Sequence, residues 1–170
     1  SGTASTTVSN TISSLLLGSA STIDYTSAGA QTITANNYAN INNSGNGDRI
    51  LSNTGVIGIS SVFSPGSGNY TVTGSTVEFN GSAPQTIPAL APSSEYNNLE
   101  INNTAGVSMV ADLNLIDALT LTDGAFTTTG FNFTLLSSAT QTARIAPITG
   151  GSIVGDVTMQ RFVPGGAAGW

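Results

Sequence analysis

Apolar and polar residues alternate with a period of two along much of the chain. The alternation is plainest in EYNNLEINN (95–103) and DLNLIDALTLTDG (112–124). Side chains on a strand point alternately to opposite faces, so this pattern predicts strands with one buried face. No stretch sustains the helical period. Turn dipeptides punctuate the pattern at Asn46-Gly47, Pro65-Gly66, Asn80-Gly81, Asp123-Gly124 and Gly150-Gly151. Together they predict strands at 22–25, 31–34, 38–42, 56–63, 70–73, 76–79, 85–87, 97–102, 107–110, 113–116, 119–122, 131–136, 143–146, 152–155 and 157–163.

The pattern also repeats. STIDYTSAGAQTI at 21–33 returns as STVEFNGSAPQTI at 75–87, with five of thirteen positions identical. Each copy leads into a Tyr and an Asn pair, at Tyr38–Asn43 and at Tyr96–Asn103. A fainter third copy starts at Phe133-Thr134-Leu135, and its Gln141 follows Gln85 at nearly the interval that separates Gln85 from Gln31. The chain therefore divides into an unassigned segment at 1–20, repeats at 21–74 and 75–130, and a partial third repeat at 131–170 that is expected to continue in a longer parent protein.

Regular repeats point to stacked units sharing one core. Val77, Leu99 and Leu119 recur about every 20 residues, the length of a single rung. The expected fold is all-β, a parallel β-helix or β-solenoid, with Asn residues stacked at the corners. Tandem β-sandwich modules are the alternative, since strands every 8–12 residues suit them too. In either fold Asp24 and Glu78 are expected to face outward, between inward neighbours such as Val77 and Phe79. Tyr25, Phe79, Phe126, Phe131 and Phe133 are expected to fill the core.

Composition narrows the possible functions. Of the 170 residues only 7% are charged, against roughly 25% in an average soluble protein, and the net charge is −6. There is no Cys, His or Lys, and the positive residues are Arg49, Arg144 and Arg161. Three scattered arginines build no basic patch, which argues against nucleic acid as a partner. The charge also opposes binding to anionic membranes. Leu15-Leu16-Leu17 is far too short to insert in one.

Most nucleophiles and general bases are missing, so any catalysis would rest on carboxylates. Asp112, Asp117 and Asp123 fall within twelve residues. A glycosidase places two carboxyls ~5–9 Å apart, and calcium takes roughly six to eight oxygens. These three acids are thus the candidate acid pair and the candidate calcium ligands. The competing reading is structural: Asp123-Gly124 has turn chemistry, and Asp112 and Asp117 bracket short strands. The expectation is no catalytic residue, no bound cofactor, and calcium as the one metal worth testing.

The motifs V-x-F-x-G-x-x-x-Q-x-I (Val77–Ile87), Y-x-N-L-x-I-N-N (Tyr96–Asn103), L-T-L-x-x-G (Leu119–Gly124) and V-x-x-Q-R-F-V-P (Val157–Pro164) belong together. In this combination the chain resembles the repeat regions of very large secreted surface proteins of Bacteroidota. The likeness covers 75–164 well and 21–63 less closely. It implies an adhesin-like stalk at the bacterial cell surface, exported by the type IX route. Its partners would be neighbouring repeats or identical subunits joined end to end, and surface glycans.

Overall fold

The structure, a computed structural model, describes residues 20–165. It is an all-β solenoid of about seven turns. The first turn carries β1 (Thr22–Asp24) and β2 (Gln31–Ile33), the second β3 (Asn36–Asn42) and β4 (Arg49–Leu51), and the third β5 (Ile57–Ser64) and β6 (Tyr70–Thr71). The fourth carries β7 (Thr76–Phe79) and β8 (Gln85–Ile87) and opens β9 (Glu95–Asn102), which continues into the fifth. The fifth adds β10 (Val107–Met109) and opens β11 (Leu113–Thr127), which wraps through the sixth to β12 (Phe133–Leu135). The seventh holds β13 (Arg144–Ile145), β14 (Gly151–Val154) and β15 (Thr158–Met159).

The strand pairings are parallel, each strand meeting one from the turn before or after. They form three faces. On the first, Ile57, Val77, Leu99, Leu119 and Ile145 lie in register. Val77, Leu99 and Leu119 are thus the rungs that the sequence spacing marks. On the second face Ile23, Ile41 and Phe63 are partners, and further along so are Gln85, Val107, Phe126 and Ile153. The third aligns Gln31, Arg49 and Tyr70, then Tyr96 and Leu115 with Leu135 and Met159. The sandwich alternative needs antiparallel sheets, and the one antiparallel bridge among the described residues is Ser137–Thr142.

The faces enclose one core. Ile59, Phe79, Ile101 and Leu121 stack in a single column with no exposed surface. Truncating one of them to Ala would cost roughly 3–5 kcal/mol in lost transfer energy and cavity. Corners are turned inside strands. β11 passes two of them by register shifts, at 115/118 and 121/123. At the second, Gly124 takes φ +76°, and a Cβ there would collide with the Asn103 carbonyl. Asparagines knit the turns along the axis through the main chain rather than by stacking on one another: Asn40, Asn98 and Asn114 donate Nδ2 to the carbonyls of Ser21, Ser75 and Ser93 at 3.3, 3.1 and 3.0 Å, each one turn back.

Two expectations change. β4 is absent from the predicted strands, because its inward positions are Arg49 and Leu51 while Ile50 is 42% exposed. Phe131 does not fill the core; it sits 39% exposed beside a corner, whereas Tyr25, Phe79, Phe126 and Phe133 are buried. Phe126 and Phe133 pack edge to face with centroids 5.0 Å apart.

Candidate functional site

The three singled-out aspartates are not brought together. Asp112 precedes the third face, Asp117 lies between the third and the first, and Asp123 between the first and the second. One acid sits at each successive corner. Each has its own partner. Asp112 accepts from the Asn132 backbone N–H at 2.8 Å and from its side chain at 3.1 Å. Those bonds hold its carboxyl below the usual range. Asp117 pairs with Arg144 on the surface, and Asp123 accepts from the Gly124 N–H at 2.8 Å. Among the described residues no group of three or more acids is placed to share a metal ion. Asp123 thus has the turn role of the structural reading, whereas Asp112 and Asp117 link one turn of the solenoid to the next.

A different pair of acids does meet. Glu78 and Glu100 are register partners on adjacent turns of the first face, both pointing outward. Adjacent strands lie about 4.8 Å apart. Glu78 accepts from Asn102 Nδ2 at 2.8 Å and Asn80 Nδ2 at 3.0 Å. Asn80 Nδ2 also reaches Asn37 Oδ1 at 3.3 Å, over Gly58, where a Cβ would collide with the Asn37 amide. Glu100 accepts from Thr122 Oγ1 at 2.7 Å. Two carboxylates on neighbouring turns are the raw material of a glycosidase acid pair. Here, however, both Glu78 oxygens are already taken by carboxamides, and the arrangement braces one turn against the next. Asp24 does the same: it accepts from the Ser44 N–H at 3.0 Å and hydroxyl at 2.9 Å. Burial pushes its carboxyl up, but these bonds outweigh it and leave the group below its usual range. The signal for the glutamate pair is in the sequence, since Glu78 and Glu100 directly follow Val77 and Leu99 and share their rung spacing.

The feature with no sequence signal is Arg49. It has no exposed surface. Nη1 donates to the carbonyls of Gly47 at 2.8 Å, Asp48 at 2.9 Å and Gly29 at 3.4 Å. Nη2 donates to Tyr25 at 2.9 Å and Ser27 at 3.2 Å. Its Cζ lies 5.8 Å from the Tyr25 ring centroid, within cation–π range. The guanidinium therefore fills a cage of main-chain oxygens where the second face turns into the third. Burial pushes the nearby Tyr25 phenol well up and the Tyr70 phenol up to about 12.

Gln85 is the neutral counterpart. It is buried, with Nε2 donating to Ile59 and Ser61 carbonyls at 2.9 and 3.0 Å. Its Oε1 accepts from Gly81 N and Asn103 Nδ2, both at 2.8 Å. No protein-family description, no curated protein and no solved structure matches the chain.

Proposed function

We propose that this chain is a non-catalytic structural segment, a stalk or fibre unit of a secreted bacterial surface adhesin. The observation that carries the reading is the single core running through the stacked turns. It lets length grow by about 4.8 Å per turn without a wider core. The polar side chains with the densest contacts (Arg49, Gln85, Asn103, Glu78) each reach a neighbouring turn of the same stack.

In a longer stack a further turn would cover the last described one. Met159, in register with the buried Leu135, is 69% exposed, and Ile148, Phe162 and Val163 are exposed too. The cell-surface setting rests on the motif resemblance. The test is electron microscopy with sedimentation across a wide concentration range. Rods of constant width that shorten on Met159→Lys support the reading; a compact monomer at every concentration, unchanged by the substitution, overturns it.

A surface-glycan module is the second reading. The outward row of Asn37, Asn80, Asn102, Glu78 and Glu100 favours it, because carboxamides and carboxylates match sugar hydroxyls. A glycan array with no hits, or hits unaffected by Asn102→Ala, counts against it. A carboxylate-dependent glycosidase is the remaining alternative, and Glu100→Gln would abolish any hydrolysis found.

A further inference from the structure

The chain contains two Asn-Gly pairs, Asn46-Gly47 and Asn80-Gly81. At such a pair the glycine nitrogen can attack the asparagine side-chain amide, since no side chain crowds it. The N–Cγ bond forms, the Cγ–Nδ2 bond breaks, and ammonia leaves with the proton from the glycine nitrogen. The resulting succinimide is opened by water at either carbonyl, giving aspartate or isoaspartate. In a folded protein the rate depends on how firmly both partners are held.

The two pairs are held very differently. Asn80 is half-buried, its Nδ2 shared between Glu78 and Asn37. Gly81 N donates to Gln85 Oε1 at 2.8 Å. Both reacting groups are tied. Asn46 is exposed, and its side chain makes no hydrogen bond among the described residues. Gly47 N makes a long 3.3 Å bond to the Ser27 carbonyl.

We infer that Asn46 is a site of spontaneous deamidation, with Asn80 protected, and that the isoaspartate product loosens the Arg49 cage. The link to Arg49 is geometric. The Gly47 carbonyl accepts from Arg49 Nη1 at 2.8 Å. A Cβ built at Gly47 would collide with the Gly29 carbonyl, so the main chain of the neighbouring turn lies close against it. Isoaspartate inserts one extra carbon into the main chain just before Gly47 and displaces that oxygen. Ordinary aspartate at 46 leaves the backbone path intact.

The test is to age the folded protein in mildly alkaline buffer and follow both sites by peptide mapping and mass spectrometry. A parallel sample is kept unfolded in urea. In the folded protein Asn46 should convert about tenfold faster than Asn80 or more, with the gap closing in urea, because native contacts that must open first set the difference. Equal rates in the folded protein, or the same ratio in urea, overturn the assignment. Aged protein rich in isoaspartate should unfold at lower urea than the Asn46→Asp variant. Identical midpoints would overturn the link to Arg49.

Discussion

Residues 21–33 and 75–87 say nearly the same thing and stand in different places. Locally they agree: each is strand, corner, strand, and each glutamine accepts from the N–H four residues earlier, Gln31 from Ser27 at 3.3 Å and Gln85 from Gly81 at 2.8 Å. Globally they differ. The first copy lies on the second and third faces, the second copy on the first and second. Followed along the chain, the second copy begins eight sides after the first on a three-sided stack, so each copy steps one face around the axis. The third copy, at Phe133–Leu135, lands on the third face in keeping with this. The motif thus specifies a corner with its two strands, and the side it occupies follows from counting turns. The clasp differs too. Gly29 and the equivalent Ala83 each offer a carbonyl to a residue twenty further on, and that residue is Arg49 in one copy and Asn103 in the other.

Replacing the cationic clasp should have the largest effect. Arg49→Met takes one donor from each of five main-chain carbonyls and should cost roughly 4 kcal/mol, read as a lower urea midpoint. Asn103→Ala, removing the neutral clasp, should cost about 2 kcal/mol. If the two cost the same, the charged clasp does no more than the amide. The glutamines sharpen the comparison further. Gln85→Ala removes four hydrogen bonds and should cost about 3 kcal/mol, whereas Gln31→Ala, half-buried, should cost under ~1 kcal/mol. Equal losses would show that the face occupied does not matter.

A smaller effect is set by pH. Asp24 and Asp112 have depressed values in the fold, so their contribution is present above the ordinary 3.8 and is lost as pH falls below it. Tyr70 is raised from 10.0 to about 12, so its contribution is whole below pH 10.0 and disappears as pH rises towards about 12. Acid titration of Asp24→Asn should show a shallower loss than the parent; an unchanged curve removes Asp24 as a brace. The smallest effect belongs to the exposed Arg144–Asp117 pair, where Asp117→Asn should change stability by about 0.5 kcal/mol or less.

Much of the scaffold is readable in the sequence, because a solenoid core depends on apolar residues recurring at turn length. Val77, Leu99 and Leu119 carry both the spacing and the register. Strand β4 is hidden because a fully buried guanidinium stands where the pattern wants an apolar residue, and the exposed Ile50 inverts the apparent face. The continuity of β11 is hidden because Asp123-Gly124 reads as a turn end, whereas here it bends a strand that goes on pairing. The clustered aspartates mislead for a related reason. Acids so near in sequence look close, but on this fold they are spread over two of the three sides. Acids a full turn apart, such as Glu78 and Glu100, are the ones that touch neighbouring ground.

The turn-to-turn pairing also has a mechanical side. Each pairing on the first face between Ile57 and Leu119 closes a loop no longer than a single turn, so each new turn can wind onto a finished one for a small entropic cost. Pulled from its far end, the chain should pay out like thread from a spool, one turn at a time. The Arg49 corner would resist longest.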